Sequence, residues 1–350
     1  MSQIRATDSL AQLLAPAPNE FDANGTVHSS DRIMESRAAL EASVVTALAD
    51  ASFVRLDGED VVSFLQGQLT ADVRLVDEGH STLAAWLNPK GRVQTLMRLF
   101  DRDGALHMML PRAFADQTVK RLRMFVLRAK VTLTPVDDNL AAMGVAGDEA
   151  ARLLRDAGAA LPEASDESAT SAGCTFVLLH GKRPRYLVIG PVDALEPFAR
   201  ALSGHASTVG AAAWRLLDIE AGVPDIEPGA ENTYLPQMLN LQALGGVNFD
   251  KGCYVGQEIV ARTQYLGRLK RRLYRASVGP GANLEAGAPI YANGSEQSAG
   301  AVLSTAERPD GRLACLAVIQ IDAAGMPLSV GAVDGDRLEL EALPYALETS

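Results

Sequence analysis

The chain contains few of the residues that define several common classes of protein. Its 350 residues include three cysteines and five histidines, and only 5% are aromatic. Cys174, Cys253 and Cys315 are odd in number and lie far apart, which argues against a disulfide framework and indicates a reducing compartment. The scattered cysteines and histidines lack the spacing of zinc ligands. We therefore expect no dedicated metal site, and we expect the histidines to be surface or packing residues.

Long hydrophobic runs are also missing. No stretch of 18 apolar residues occurs, and no basic N-terminal segment leads into a hydrophobic one, so the sequence supports neither a membrane span nor a secretory signal. We expect a cytoplasmic protein without a membrane partner. A hydrophobic content of 47% is typical of globular proteins, and the length suggests two or three structural units.

Positive charge is scarce overall but locally concentrated. The net charge of −11 disfavours general attraction to nucleic acid. Six basic residues nevertheless fall within 112–130, where Asp116 is the one acidic residue, and seven fall within 251–275, where Glu258 is the one acidic residue. These two basic islands indicate either an anionic ligand or partner, or ordinary solvated surfaces.

The hydrophobic patterns mix helices and strands without regular βαβ alternation, which predicts the α+β class. Residues 1–32 are predicted to form a polar extension with at most a short helix, and residues 159–172 a loop. Glycines and short β-prone runs after 275 predict a small β-barrel. The other predicted elements are helices over 38–49, 60–69 and 111–130, and strands over 52–56, 83–87, 93–100, 106–110, 175–179 and 186–189.

The segment 251–260 reads KGCYVGQEIV and places a thiol beside a cation within a glycine-bracketed turn. A reactive cysteine needs positive charge and access to solvent, because the thiolate is the nucleophile. Free cysteines are also among the residues most often buried in cores. The residues alone therefore leave Cys253 open as either a functional thiol or a small core residue.

The wider window from 235 to 262 closely resembles the YgfZ family, a branch of the glycine-cleavage T-protein superfamily whose members look like folate-binding proteins. The Lys-Gly-Cys-Tyr-x-Gly-Gln-Glu motif at 251–258 is highly specific for it. The resemblance implies two interleaved α+β lobes around a central folate channel, here 33–265, and a C-terminal β-barrel, here 266–350. It also implies tetrahydrofolate, or a one-carbon derivative of it, as the cofactor.

Glu220 lies near the end of a predicted helix that Gly222 caps and Pro224 prevents from continuing. A carboxylate in the last turn opposes the helix dipole, so it benefits from a separate partner. Without the resemblance, Glu220 reads as a surface residue. In the T-protein superfamily the similar Arg-x-Glu-x-Gly helix end supplies the glutamate that binds the pterin, and Glu220 matches it, although Asp218 stands in place of the arginine.

Aminomethyltransferases of this superfamily carry a Gly-Gly-x-x-Asp-Asp motif, and here Gln94 and Thr95 stand at the aspartate positions. An amide or a hydroxyl cannot replace a carboxylate as a proton acceptor or as a stabiliser of a developing cation. The sequence therefore disfavours aminomethyl transfer.

The resemblance implies a tetrahydrofolate-binding accessory protein for iron–sulfur cluster assembly or repair, with indirect effects on tRNA modification. Its partners are then iron–sulfur assembly proteins or cluster-dependent enzymes. In this interpretation Glu220 holds the pterin, and Lys251 either holds the folate tail or favours the thiolate of Cys253. One alternative is a folate-dependent one-carbon transfer enzyme that uses Cys253 as its nucleophile. Another is direct tRNA binding through the second basic island.

Overall fold

A computed structural model describes residues 5–14, 20–21, 27–28 and 32–347. Its helices are α1 (Ala6–Leu14), α2 (Arg32–Glu41), α3 (Val61–Gln66), α4 (Arg112–Val126), α5 (Ala150–Asp156), α6 (Val192–Leu202), α7 (Ala211–Glu220) and α8 (Gln257–Tyr265), with short 3-10 turns at Val73–Leu75, Pro236–Leu239, Leu241–Leu244 and Ile321–Ala323. Within these residues, no helix has both the length and the apolar character needed to cross a bilayer.

The strands form a two-stranded ribbon, two larger sheets and a closed barrel. They are β1 (Glu20–Phe21), β2 (Val27–His28), β3 (Val44–Ala47), β4 (Ala51–Asp57), β5 (Thr82–Leu87), β6 (Val93–Arg102), β7 (Ala105–Pro111), β8 (Thr132–Pro135), β9 (Ala141–Ala146), β10 (Ser168–Ser171), β11 (Cys174–Leu178), β12 (Arg185–Gly190), β13 (Ser207–Thr208), β14 (Arg271–Val278), β15 (Pro289–Ala292), β16 (Ser298–Glu307), β17 (Leu313–Gln320), β18 (Leu328–Val330) and β19 (Asp336–Glu341).

The five-stranded sheet is antiparallel, with the order β5-β6-β7-β4-β8. Helices α3 and α4 contribute buried side chains, including Leu65 and Leu122, to the core that contains Met97 of β6. Lys120 and Arg121 lie on the exposed side of α4. The amphipathic helix predicted for this segment is therefore present, with one apolar and one basic face.

The six-stranded sheet has the order β10-β11-β12-β9-β3-β13 and is antiparallel except for the β3-β13 pair. Helices α1, α5 and α6 pack in one core cluster with this sheet, and α2 and α7 pack in another. The chain enters this sheet at β3, builds the whole five-stranded sheet, and returns at β9. The two lobes are interleaved in sequence for this reason.

A shared core joins the two sheets, with Phe53 and Phe100 from the five-stranded sheet and Leu187 from the six-stranded one. The barrel closes in the order β14-β17-β16-β15-β18-β19, and its interior is filled by side chains such as Ile290 and Cys315. The predictions of an α+β fold with interleaved lobes and of a C-terminal β-barrel are confirmed.

Two local predictions differ from the structure, and a third is covered by it only in part. The helix predicted over 38–49 ends at Glu41, and β3 follows, because β-branched Val44 and Val45 fill buried positions next to β9. The loop predicted over 159–172 contains strand β10, which gains its hydrogen bonds from β11. Within 1–32, the described helix α1 places Leu10 in the core, whereas 1–4, 15–19, 22–26 and 29–31 lie outside the described residues.

Gly144 in β9 leaves the space that the Trp214 ring occupies. A Cβ atom at Gly144 would lie 2.7 Å from that ring. We expect Gly144→Ala to destabilise the protein by about 1–3 kcal/mol, because the indole must shift within a packed core. Urea unfolding measures the change. Gly279→Ala is the matched control, since a Cβ there meets no atom within 4 Å, and equal stability of the two variants would contradict this account.

Candidate functional site

A cavity of ≈ 200 Å³ lies between the two sheets. Its apolar lining comes from both lobes and includes Leu83, Leu96, Met109, Leu187 and Trp214. Strand β12 and helix α7 contribute from one side, and strands β5, β6 and β7 from the other. The cavity is therefore a product of the interleaved fold, and neither lobe encloses it alone.

Three carboxylates, which we call the acidic wall, also line this cavity: Asp50 between β3 and β4, Asp218 on α7, and Asp225 in the following loop. Desolvation by the surrounding cavity wall raises the pKa of Asp225 to about 7, although part of the residue's surface is exposed, and the charges of Asp50 and Asp218 add to the effect. Burial also raises the pKa of Asp218, although Arg185 donates to its Oδ1 at 2.7 Å and opposes the shift. Asp218 and Asp225 thus offer hydrogen-bond acceptors that ionise less readily than ordinary aspartates.

Cationic and imidazole groups line another part of the cavity. Arg98 and His180 both line it, and both contact the buried carboxylate of Asp166, at 2.7 Å and 2.8 Å. Burial opposes ionisation of Asp166, but Arg98 and His180 outweigh it and lower the pKa to about 2. The backbone of Asp166 has a φ of 68°, an uncommon conformation that the surrounding bonds hold in place. We call these three residues the Arg98 cluster.

Arg185 connects the two groups. Its Nη1 donates to Asp218, and its Nε and Nη2 donate to the backbone carbonyl of His180 at 3.1 and 2.9 Å. Its guanidinium carbon lies 5.6 Å from the centroid of the Trp214 ring. Charged groups of both signs therefore follow one another along a single cavity.

The structure turns Glu220 away from this cavity. Its Oε2 accepts from Arg275 at 2.6 Å, and its Oε1 accepts from Nε and Nη2 of Arg308 at 2.9 and 2.6 Å. Both arginines belong to the barrel region and also pair with Glu341 of β19. Glu220 is predicted to hold the pterin, and in the structure its carboxylate lies between α7 and the barrel, outside the lining of this cavity.

Helix geometry explains the difference. Residues two apart in an α-helix are rotated by about 200°, so Asp218 and Glu220 project from nearly opposite faces of α7. The sequence showed both carboxylates, but it did not show which face of the helix the cavity would meet. Asp218, at the position of the family's arginine, is the one that reaches the cavity.

Cys253 is exposed on the loop that precedes α8, and it is not among the residues that line the cavity. Lys251 has only 5% of its surface exposed. Its Nζ donates to the backbone carbonyls of Leu69 and Ala71, both at 2.6 Å, and lies 5.1 Å from the centroid of the Tyr254 ring. Burial lowers the pKa of Lys251 to about 8. In the structure Lys251 anchors the loop and does not reach the cavity.

Further contacts hold the same loop. The amide of Asn248 donates to the carbonyl of Thr70, and the amide of Val255 donates to that of Gly67. Gly256 has a φ of 82°, and a Cβ there would lie 2.7 Å from the carbonyl oxygen of Asn88. Gly256 and Lys251 thus build a fixed turn that presents Cys253 at the surface.

The second basic island divides into two parts. Lys251 is buried and Arg275 pairs with Glu220, whereas Arg262, Arg268, Lys270 and Arg271 are exposed. Tyr265 and Leu266 at the end of α8 are also exposed, by 66% and 87%. Tyr265 makes an edge contact with Phe249 of the Cys253 loop at 6.1 Å between ring centroids. We call the exposed residues 262–271 the α8 face.

Gln94 and Thr95, which stand where aminomethyltransferases carry aspartates, each form a hydrogen bond with a nearby group. Arg121 donates to the side-chain oxygen of Gln94 at 2.6 Å. The hydroxyl of Thr95 is buried and donates to the carbonyl of Leu96 at 3.2 Å. Neither side chain supplies a carboxylate to the cavity.

Sequence reasoning missed most of the residues that line the cavity. The sequence marks Asp218 only as a departure from the family motif, and it predicts His180 as an ordinary surface or packing residue. Asp166 fell within a predicted loop. These residues come from distant parts of the chain, so no local spacing reveals them, although an aspartate directly after Pro224 and another two residues before Glu220 were visible signals.

We expect Lys251→Met to destabilise the protein by about 1–3 kcal/mol, since the carbonyls of Leu69 and Ala71 lose a charged donor inside the protein. Chemical denaturation measures this change. Lys270→Met is the matched control, because Lys270 is exposed and such surface changes stay within about 0.5 kcal/mol. A loss no larger than that of the control would show that the two contacts do not stabilise the fold.

No family model matches the chain. A "tRNA-modifying protein YgfZ" from Klebsiella pneumoniae (strain 342) is 34% identical over 317 residues, which cover 89% of this chain and 96% of that protein. A protein of the same name from Enterobacter sp. (strain 638) is 33% identical over 305 residues, 86% of this chain and 93% of the relative.

Among solved structures, the crystal structure of glycine cleavage system aminomethyltransferase T from Bartonella henselae matches with a TM-score of 0.74 and 16% identity, over 94% of both chains. At this identity the match shows the fold and nothing about activity. Taken with the two sequence relatives, it establishes that the chain belongs to the YgfZ family and has the fold of the glycine cleavage T-protein.

Proposed function

We propose that this protein binds tetrahydrofolate, or a one-carbon derivative of it, in the central cavity. The observation that carries the proposal is the order of charged groups along that cavity, from the acidic wall to the guanidinium groups of Arg185 and Arg98. A pterin offers a ring N–H and an adjacent amino group as two donors, and a carboxylate accepts both. The glutamate tail of a folate carries carboxylates, which suit a cationic region.

Trp214 adds an aromatic surface at the acidic wall. A flat pterin ring gains stacking and apolar contact from such a side chain. In this arrangement Asp218 and Asp225 replace Glu220 as the carboxylates offered to the pterin. Glu220 keeps the structural partners Arg275 and Arg308.

Calorimetric titration with tetrahydrofolate tests this assignment. We expect Asp225→Asn to weaken binding roughly 10- to 100-fold, because a hydrogen bond to a charged acceptor is worth about 1.5–3 kcal/mol. Glu220→Gln is the matched control, because it also removes one carboxylate charge. It should bind tetrahydrofolate within about threefold of wild type, since Glu220 does not line the cavity. If Glu220→Gln is folded and is the one variant of the two that loses binding, then Glu220, and not Asp225, binds the pterin.

The same titration has a pH dependence of known sign. The pKa of Asp225 is raised to about 7, so this carboxyl is largely protonated below pH 7 and ionised above it. Affinity should therefore increase from pH 6 to pH 8 in the wild type, and this increase should shrink in Asp225→Asn. Absence of tetrahydrofolate binding by the wild type at every pH would overturn the proposal.

We further propose an accessory role in iron–sulfur cluster assembly or repair, carried out in the cytoplasm. The support is the exposed thiol of Cys253 on a fixed loop, next to the exposed α8 face. A lone thiol cannot hold a cluster permanently, because clusters need several ligands. Cys253 therefore acts by brief contact with an assembly protein or with a cluster-dependent enzyme.

This role accounts for the relatives' name without direct contact with RNA. Enzymes that modify tRNA and need clusters lose activity when cluster supply fails, and tRNA modification then falls as a consequence. Direct tRNA binding has less support, since Lys251 and Arg275 of the second basic island are engaged inside the protein. A one-carbon transfer enzyme that uses Cys253 also has less support, because this thiol does not line the cavity.

The variant Cys253→Ser tests the role of the thiol independently of the cavity. We expect this variant to bind tetrahydrofolate as the wild type does, and to fail to restore cluster-dependent enzyme activities in cells that lack the protein. Both variant and wild type must accumulate to the same level, which immunoblotting checks. Full restoration of those activities by Cys253→Ser would remove the thiol from the proposed role.

A further inference from the structure

Asp166 and His180 form a side-chain pair typical of proton-transfer sites. Nε2 of His180 lies 2.8 Å from Oδ2 of Asp166, and His180 lines the cavity. An ionised carboxylate only accepts hydrogen bonds, so Nε2 carries the hydrogen of this bond. The Nδ1 atom of the neutral ring is then the unprotonated nitrogen, which can accept a proton.

Three contacts fix this arrangement. Arg98 donates to Oδ1 of Asp166 at 2.7 Å, and the backbone carbonyl of Asp166 accepts from both the amide and the hydroxyl of Ser81. The carbonyl of His180 is held by Arg185. Histidine bases in enzymes are oriented by a carboxylate in the same manner, and they are recognised by geometry and not by sequence position.

The acidic wall indicates which folate would react here. The methenyl bridge of 5,10-methenyltetrahydrofolate carries a positive charge over its N–C–N atoms, which the negative potential of the acidic wall favours even while Asp218 and Asp225 hold the pterin edge. The aminomethyltransferase carboxylates are replaced by Gln94 and Thr95, so aminomethyl transfer lacks its base. Addition of water needs only a proton acceptor beside the bridge.

We propose that the cavity hydrolyses a methenyl-level one-carbon unit on a bound folate, with His180 as the catalytic base and Asp166 as its positioning residue. The oxygen of a water molecule forms a bond to the bridging carbon while Nδ1 of His180 takes one of its protons. One bridging C–N bond then breaks, and its electron pair and the second proton of the water go to the departing nitrogen. A formyl folate remains, His180 releases its proton to solvent, and no electrons are gained or lost.

The inference rests on the proposed binding of folate in this cavity, and the experiment separates the two. Purified protein is mixed with 5,10-methenyltetrahydrofolate, and the loss of methenyl absorbance is followed against buffer alone at the same pH. We expect the wild type to exceed the buffer rate, and His180→Gln to lose roughly 100-fold or more of that excess. His205→Gln is the matched control, since His205 is exposed on the surface and should keep the full rate.

Two further measurements show whether His180 acts by proton transfer or only by supporting the fold. Nitrogen NMR of the His180 ring should show hydrogen on Nε2 in the wild type, and a mixture of the two tautomers in Asp166→Asn. Tetrahydrofolate affinity in His180→Gln should stay within about threefold of wild type, while kcat falls. If Asp166→Asn does not fold, His180→Gln and the wild-type tautomer decide the question.

Each outcome has a distinct meaning. If the wild type binds no tetrahydrofolate, the proposed function fails, and this inference fails with it. Binding of tetrahydrofolate without hydrolysis above the buffer rate overturns the hydrolytic activity alone. Equal rates for His180→Gln and wild type, or hydrogen on Nδ1 in the wild type, would remove His180 as the base.

Discussion

Helix α7 is the element on which the other parts of the structure depend. Its Trp214 and Leu217 pack in the core that joins the two sheets, whereas its Leu216 and Ile219 pack in the core that reaches the barrel. Its last turns carry Asp218 into the cavity and Glu220 towards the barrel. A helix of ten residues thus sets the position of the cavity wall relative to the barrel. A change on either face is transmitted to the other, because packed cores tolerate little displacement.

The two groups of charges on α7 differ in how completely they are paired. Glu220 and Glu341 share the two arginines Arg275 and Arg308, so negative and positive charges balance in a partly buried cluster. Such clusters cost desolvation energy, and their complete pairing fixes orientation more than it adds stability. In the acidic wall, Asp218 has Arg185 as its partner, while Asp225 accepts from the neighbouring amide of Ile226 within the described residues. An excess of one charge beside a cavity is typical of a site that a ligand completes.

The cavity and Cys253 are physically separate. The cavity lies between the sheets, whereas the thiol stands on an outer turn that Lys251 ties to the backbone of 69–71. A ligand in the cavity is therefore shielded by both lobes, while the thiol is open to large partners. This separation suits a protein in which ligand binding and partner contact are different events, and it leaves any chemistry on the ligand to groups such as His180 that line the cavity.

The family, the α+β class, the barrel and the turn that presents Cys253 can all be predicted from the amino-acid sequence. These follow from local causes: glycine at a positive φ in Gly256, the repeated β-prone runs after 275, and the apolar spacing of α4. Prediction from the sequence fails where contacts with distant residues decide whether a segment forms a strand or whether a side chain is buried. Val44 is in a strand because β9 lies beside it, and Lys251 is buried because 69–71 supplies carbonyls to it. Helix rotation and the packing of two interleaved lobes bring Asp218, and not Glu220, to the cavity and bring Asp166 to His180. These contacts join distant parts of the chain, so they exist only in the folded protein.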